Sequence, residues 1–261
     1  MKDDQPPNSQ PEKPMKFRST LPTFPEGRPV TGAEYEAFIK ERIEASGGTD
    51  LNALYQLSGI YSRTGRLEQA EKCILLLMEL NKTPGGMAAH LLQLGQIAER
   101  VDDYEIAASH YRRGLEAGPV ETQIRYFLRN NLGYSLNRLR RHAEAEPLLR
   151  EAIEIDPEQP NAYKNLGLCM WGLKRPTEAA LCFINATRVN AADARALRHL
   201  EKLYELRPVV ADTIPDFDAL LGACRAAVAE TARHWPDLQA WWRKIREETA
   251  GSPPQGFDRP D

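Results

Sequence analysis

The feature that most constrains this chain is a recurrence. Leu57, Leu94, Leu132, Leu166 and Leu200 occupy equivalent places, and the last two steps are both 34 residues. Thirteen residues after the first four leucines comes an alanine: Ala70, Ala107, Ala145 and Ala179. Four further on stands a bulky residue, Ile74, Tyr111, Leu149 or Phe183. Three beyond that come Leu77, Gly114, Ala152 and Ala186. Gly95, Gly133 and Gly167 directly follow their leucines, and Pro119 and Pro157 close two units.

Each unit is long enough for two short antiparallel helices. Small residues let the two backbones approach, and bulky ones fill the gaps that remain. Proline stops the second helix because it has no N–H to donate. The pattern resembles the tetratricopeptide repeat, a 34-residue helix-turn-helix unit. The resemblance covers units at about 51–84, 88–121, 126–159 and 160–193, with a partial fifth at 194–207, inside an array spanning 49–208. It implies an all-α, right-handed superhelical solenoid. The first unit departs with Ser58 for glycine, Leu77 for alanine and Lys82 for proline. Extra residues, "PGGM" and "VETQIR", separate units one from two and two from three, with Gly85-Gly86 expected in a turn between helices.

Outside the array the register fails. The first 30 residues hold seven prolines and few aliphatic residues, too little to offset the entropy of ordering, and are expected to be a disordered arm. Residues 31–48 read as one amphipathic helix: Thr31 and Glu34 have capping-box spacing, Tyr35, Phe38, Ile39 and Ile43 form a stripe, and Gly47-Gly48 ends it. Residues 209–249 are expected to cap the array with two helices, one at 216–234 and a second started by Pro236, the latter carrying Trp241 and Trp242. A disordered tail is expected at 250–261.

Composition narrows the function classes. A net charge of -3 gives no bias toward nucleic acid. "RLRRHAE" at 138–144 is basic but falls at a turn, where cations meet a helix C-terminus. No run approaches the length of a membrane helix, and the amino terminus lacks an apolar signal core, so a cytoplasmic protein without membrane insertion is expected. Four scattered cysteines and five histidines form no ligand motif, so no metal and no cofactor are expected. Ser109 and His110 are adjacent on a helix and point about 100° apart, which rules out a nucleophile–base pair. The expectation is a non-catalytic protein.

What remains is the inner surface. With each leucine numbered seven, places 2, 5, 6, 9, 12 and 13 of the first helix share one side, away from core places 4, 7, 8 and 11. In tetratricopeptide arrays that side resembles the lining of a concave groove. Place six reads Gln56, Gln93, Asn131 and Asn165, amides able to pair with the backbone of an extended peptide; a similar asparagine ladder occurs in O-linked N-acetylglucosamine transferases. Place five adds Tyr55, Leu92, Asn130, Lys164 and Arg198, and place nine adds Gln96, Tyr134 and Lys202. Phe127 and Arg195 stand at place two, and Trp171 at the rim. Arg63, Arg100 and Arg138 at place thirteen could instead bond the last carbonyls of their helices.

The groove is therefore expected to be apolar early and basic late. Its partner would be a protein or peptide segment with apolar anchors followed by an acidic or carboxylate end. The chain resembles the two-carboxylate clamp of tetratricopeptide co-chaperones in part: Asn165 and Arg195 match, whereas Asn130, Tyr134 and His199 depart from it. The expected role is an adaptor or scaffold. The alternatives are a self-assembling protein that forms homo-oligomers through Trp241, Trp242 or the outer face, a regulatory subunit of an enzyme, and a carboxylate-binding co-chaperone. The segment "FRSTLPTFP" at 17–25 could occupy the groove until a partner displaces it.

Overall fold

The computed structural model describes residues 32–118 and 120–249, with side-chain surroundings as far as residue 233. The expected arm and tail, Thr31 of the capping box, Pro119 and the indoles of Trp241 and Trp242 lie outside the described residues. The described chain is helical, with no strand among these residues.

Helix α1 (Gly32–Ala45) precedes four helix pairs: α2 (Leu51–Arg63) with α3 (Leu67–Leu80), α4 (Pro84–Arg100) with α5 (Tyr104–Glu116), α6 (Thr122–Arg138) with α7 (His142–Ile155), and α8 (Pro160–Gly172) with α9 (Pro176–Val189). Then come α10 (Arg195–Leu206), the single turn α11 (Val210–Thr213) and α12 (Phe217–Thr249). Each pair packs on the next through its second helix, and α4, α6 and α8 lie side by side along the inner surface. That stacking is an all-α superhelix.

The repeat pattern translates directly into contacts. Ala70, Ala107, Ala145 and Ala179 are completely buried, as are Ile74, Tyr111, Leu149 and Phe183. The glycine after each leucine faces the bulky residue of the same unit. A β-carbon on Gly133 would lie 2.5 Å from Leu149, and one on Gly167 would lie 2.5 Å from the Phe183 ring; Gly95 meets Tyr111 in the same way. Unit one has Ser58 instead, fully buried, with its hydroxyl donating to the Tyr55 carbonyl at 2.7 Å. Burying each large side chain stabilises the array by about 1.5–3 kcal/mol.

The turns inside the pairs repeat as well. Gly65, Asp102, Arg140 and Lys174 stand at one place of their units and all adopt left-handed backbone, with φ of 76°, 58°, 59° and 61°. The following amide reaches back across the turn: Arg66 N to Tyr61 O, Asp103 N to Ala98 O, Arg141 N to Leu136 O and Arg175 N to Met170 O, at 2.8–2.9 Å. This closure satisfies helix-end carbonyls and reverses the chain. Gly47 and Gly48 end α1 with φ of 63° and 85°.

Three boundaries differ from the sequence reading. "PGGM" is not a spacer, and Gly85-Gly86 is not a turn between helices: these residues form the first turn of α4, where Thr83 accepts from Gly86 N at 3.2 Å and Pro84 opens the helix. Much of "VETQIR" likewise becomes the first turn of α6, so α4 and α6 have 17 residues against 13 in α2 and α8. A proline at the start of a helix needs no N–H partner, so it begins α4 rather than delaying it. The carboxy-terminal region, read as two helices, is one backbone helix of 33 residues. Pro236 removes one ladder bond there without ending the helix; the fixed φ of proline is compatible with helix. Phe217, Leu221 and Cys224 press the start of α12 onto the array.

Burial divides into blocks. Ile39, Ala53, Leu57, Tyr61 and Ala70 form one cluster, and a larger one runs from Ala88 to Cys224. Arg66 clamps α1 to the first block through both oxygens of Glu36, at 3.0 and 2.6 Å, and holds that carboxyl down at about 2.

Two glycines in opposite settings test this packing account. Replacing Gly167 with alanine gains about 1 kcal/mol of helix propensity but drives a methyl into Phe183, at about 1–3 kcal/mol. A β-carbon on Gly222 meets nothing within 4 Å. Urea unfolding is expected to show Gly167→Ala less stable than wild type and Gly222→Ala more stable by about 0.5–1 kcal/mol.

Candidate functional site

The inner faces of α6, α8 and α10 enclose a recess of about 340 Å³ bordered by Asn130, Asn131, Tyr134, Asn161, Lys164, Asn165, Leu168, Arg195 and His199. Its wall is an amide chain. Asn165 Nδ2 donates to Asn130 Oδ1 at 3.0 Å, and Asn130 Nδ2 donates to Asn131 Oδ1 at 3.0 Å. Asn130 and Asn165 are each only 5% exposed, so this network fixes the spacing of α6 and α8 as well as lining the recess. Asn137 extends it by donating to the Asn165 carbonyl at 2.9 Å.

The cations gather on the other side. Lys164 donates to Asn161 Oδ1 at 3.1 Å and lies 3.7 Å from Asp193. Burial, then the charge of Arg195, lowers its pKa. Arg195 grips Asp193 through two nitrogens at 2.8 Å each. Burial pushes the Asp193 carboxyl up, but its bonds to Arg195 and the charge of Lys164 outweigh that and hold it at about 2. His199 stacks on Phe183 with ring centres 5.4 Å apart, its pKa lowered by burial and by Lys164, Arg198, Lys202 and Arg195. Arg198 and Lys202 are exposed beside it. Lys164 and Arg195 share the one carboxylate of Asp193, with the His199 imidazole bordering the same recess, so the recess is suited to a further anion.

Tyr134 also borders a second, more open recess of about 430 Å³, with Gln96, Glu99 and Arg100. Ser135 Oγ donates to Glu99 Oε1 at 2.9 Å. Burial raises Glu99 to about 7, against the pull of Ser135, Tyr111 and Arg138. Arg138 lies over the Tyr104 ring at 4.3 Å, donates to Tyr134 Oη at 2.9 Å and approaches Asp102 at 3.7 Å.

The structure gathers Asn130, Asn131, Tyr134, Lys164, Asn165 and Arg195 from the candidate residues, and all five positions compared with the co-chaperone clamp border one recess. Other expectations are corrected. The place-six amides do not form a row of free groups: Gln56 accepts from Tyr35 Oη at 3.0 Å, Asn165 is tied to Asn130, and the Gln93 oxygen is buried. Leu92 is 9% exposed and belongs to the core. Phe127 turns edge-on to Tyr126 at 5.2 Å, and Trp171 does the same to Phe183 at 6.4 Å, so both serve packing. Tyr55 is half-buried in α2. Arg100 donates to the Ser62 carbonyl in the last turn of α2, the first helix of the preceding unit rather than its own. Asn161 and Glu99 were missed; both occupy inner-surface places, two and twelve, and reading those places in every unit would have found them.

No group of three metal-ligating side chains occurs among the described residues, and none of the helices they form is long and apolar enough to cross a membrane. Burial pushes the Cys169 thiol up to about 12 and Cys182 to about 11, which makes both poor nucleophiles.

Tetratricopeptide repeat models match residues 51–84, 92–160 and 130–194. The chain belongs to the tetratricopeptide repeat family. Members are in general non-catalytic scaffolds for protein–protein interaction. The chain is 28% identical over 162 residues to the type IV pilus assembly protein PilF of Pseudomonas aeruginosa, across 61% of this chain and 62% of that protein. It thus spans less than two thirds of that relative. Among solved structures it is similar to YrrB, a TPR protein with an unusual peptide-binding site, with a TM-score of 0.52 at 19% identity over 74% of this chain and 97% of that one. MamA of Desulfovibrio magneticus, from residue 41 to its end, has a TM-score of 0.53 at 20% identity over 70% and 96%. Both likenesses concern the fold.

Two measurements check the site's energetics. Asn165→Ala strands the Asn130 oxygen in a buried place, so chemical denaturation is expected to show a loss of about 1–3 kcal/mol. For Glu99 the fold favours the protonated acid, with the pKa raised from 4.5 to about 7. Its contribution to stability is full below the unfolded value and is lost as pH rises through the folded one. Melting curves should therefore show Glu99→Gln gaining on wild type between pH 5 and pH 8.

Proposed function

We propose that this chain is a non-catalytic adaptor that holds an extended segment of a partner protein along its concave surface. An acidic side chain or terminal carboxylate of the partner sits in the recess between α6, α8 and α10. The observation that carries this reading is the half-buried Lys164 beside Arg195 and His199 on an inner wall already stiffened by the Asn130–Asn165 amide pair. A cation with a lowered pKa gains most from an incoming anion, since the two charges compensate each other's desolvation. Affinity would come from this charge pairing and a few anchors rather than from total contact area.

The similarity to a type IV pilus assembly protein supports a setting for this adaptor. The partner would then be a component of a multi-protein machine of that kind, held while the machine is built.

Capture of partners from a native extract by wild type is compared with capture by a Lys164→Ala, Arg195→Ala variant of matched helix content. Specific partners are expected with wild type and strongly depleted with the variant, more so at low salt. Retention of the same partners by the variant would place binding elsewhere on the array.

A further inference from the structure

The recess over α4 and α6 differs from its neighbour in bordering a carboxylate, Glu99, with Arg100 beside it. Glu99 is the acid among the residues that border it. Ser135, which donates to it, is fully buried. The charges around Glu99 are already committed. Arg100 of α4 donates to the Ser62 carbonyl of α2. Arg138 of α6 is spent on the Tyr104 ring, the Tyr134 hydroxyl and Asp102. Tyr104 and Tyr111 complete the surroundings from α5, and Tyr104 bonds Asp102. Once Glu99 is ionised, it and Asp102 balance Arg100 and Arg138 in sign, so a cation docking on the ionised carboxylate meets no net repulsion.

We propose that this recess takes a lysine or arginine side chain of the partner segment, with Glu99 as its counter-ion. The inference rests on the groove reading above. A desolvated carboxylate supported by few donors is costly to ionise, and an arriving cation supplies the missing compensation. Gln96, an exposed residue, offers its amide oxygen as a second acceptor, and Tyr134 borders the recess where the aliphatic stem would lie. Burial keeps the acid partly protonated near neutral pH. Docking of the cation therefore releases that proton to solvent, and binding strengthens as pH rises.

Tyr134 borders both recesses, which fixes a spacing. Adjacent helices lie about 8–10 Å apart, and a segment in the extended polyproline II conformation advances about 3.1 Å per residue and returns every third side chain to the same side. The partner is accordingly a segment with a basic and an acidic side chain about three residues apart.

The test uses the full chain and five end-blocked octapeptides: lysine three residues before glutamate, the same pair in reversed order, norleucine for lysine, glutamine for glutamate, and both replaced. Calorimetry is run at pH 6 and pH 8, in two buffers of different ionisation enthalpy, on wild type and Glu99→Gln. The peptide with lysine but no glutamate keeps His199 and Lys164 out of the comparison. Lysine is expected to tighten binding to wild type about tenfold at pH 8, the scale of one charge-assisted hydrogen bond. The gain should shrink at pH 6, release a proton, and vanish in Glu99→Gln. Equal binding of the lysine and norleucine peptides overturns the proposal; if glutamate dependence persists there, the groove reading survives it. Absence of binding by all five peptides overturns the inference together with the reading on which it rests.

Discussion

The contact on which this array depends is a glycine against a large ring or branched chain. Gly95 on Tyr111, Gly133 on Leu149 and Gly167 on Phe183 let the two helices of a unit approach as closely as their backbones allow. The completely buried alanine of each second helix completes that approach. Close pairing sets the tilt of each first helix, and successive tilts generate the concave surface. The recess between α6, α8 and α10 is therefore a product of the core packing beneath it. A change at Gly167 would reach the groove through Phe183, because His199 stacks on that ring.

How much of this was legible in the sequence follows from what each residue had to satisfy. The fold was written in the small and large residues, since their spacing answers to steric rules that repeat in every unit. The groove was less legible. The place-six amides look alike in sequence, yet Asn165 is tied to Asn130 while Gln56 is taken by Tyr35 from a helix outside the repeat pattern. A polar residue on an inner face can bond its neighbour, a capping helix or a ligand, and periodicity does not distinguish them. Glu99 was hidden for a different reason. Its significance comes from burial under α6 and from the hydroxyl of Ser135, neither of which is local in sequence. The spacer residues misled because a proline and two glycines read as a turn until Thr83 is seen to cap them into a helix.

The polar surface is asymmetric in a way that net charge conceals. Along the inner wall, a carboxylate that prefers its proton is followed by a lysine that ionises less readily than usual, with one tyrosine between them. Burial raises the pKa of the one and lowers that of the other, and each shift would be relieved by a ligand charge of the opposite sign. Such a surface discriminates by order and spacing of charge, with little dependence on overall affinity for acid or base.

The division of the core into blocks has a consequence for how the molecule comes apart. Both recesses are built from α4, α6, α8 and α10, which contribute to the larger cluster, whereas α1, α2 and α3 form the smaller one. Ile97, packed against the smaller cluster, and Arg100, bonded to Ser62, are among the ties across that seam. An array of near-neighbour contacts yields first at its weakest junction. Under load or heat the first three helices would peel away as one block, and the binding wall would outlast them.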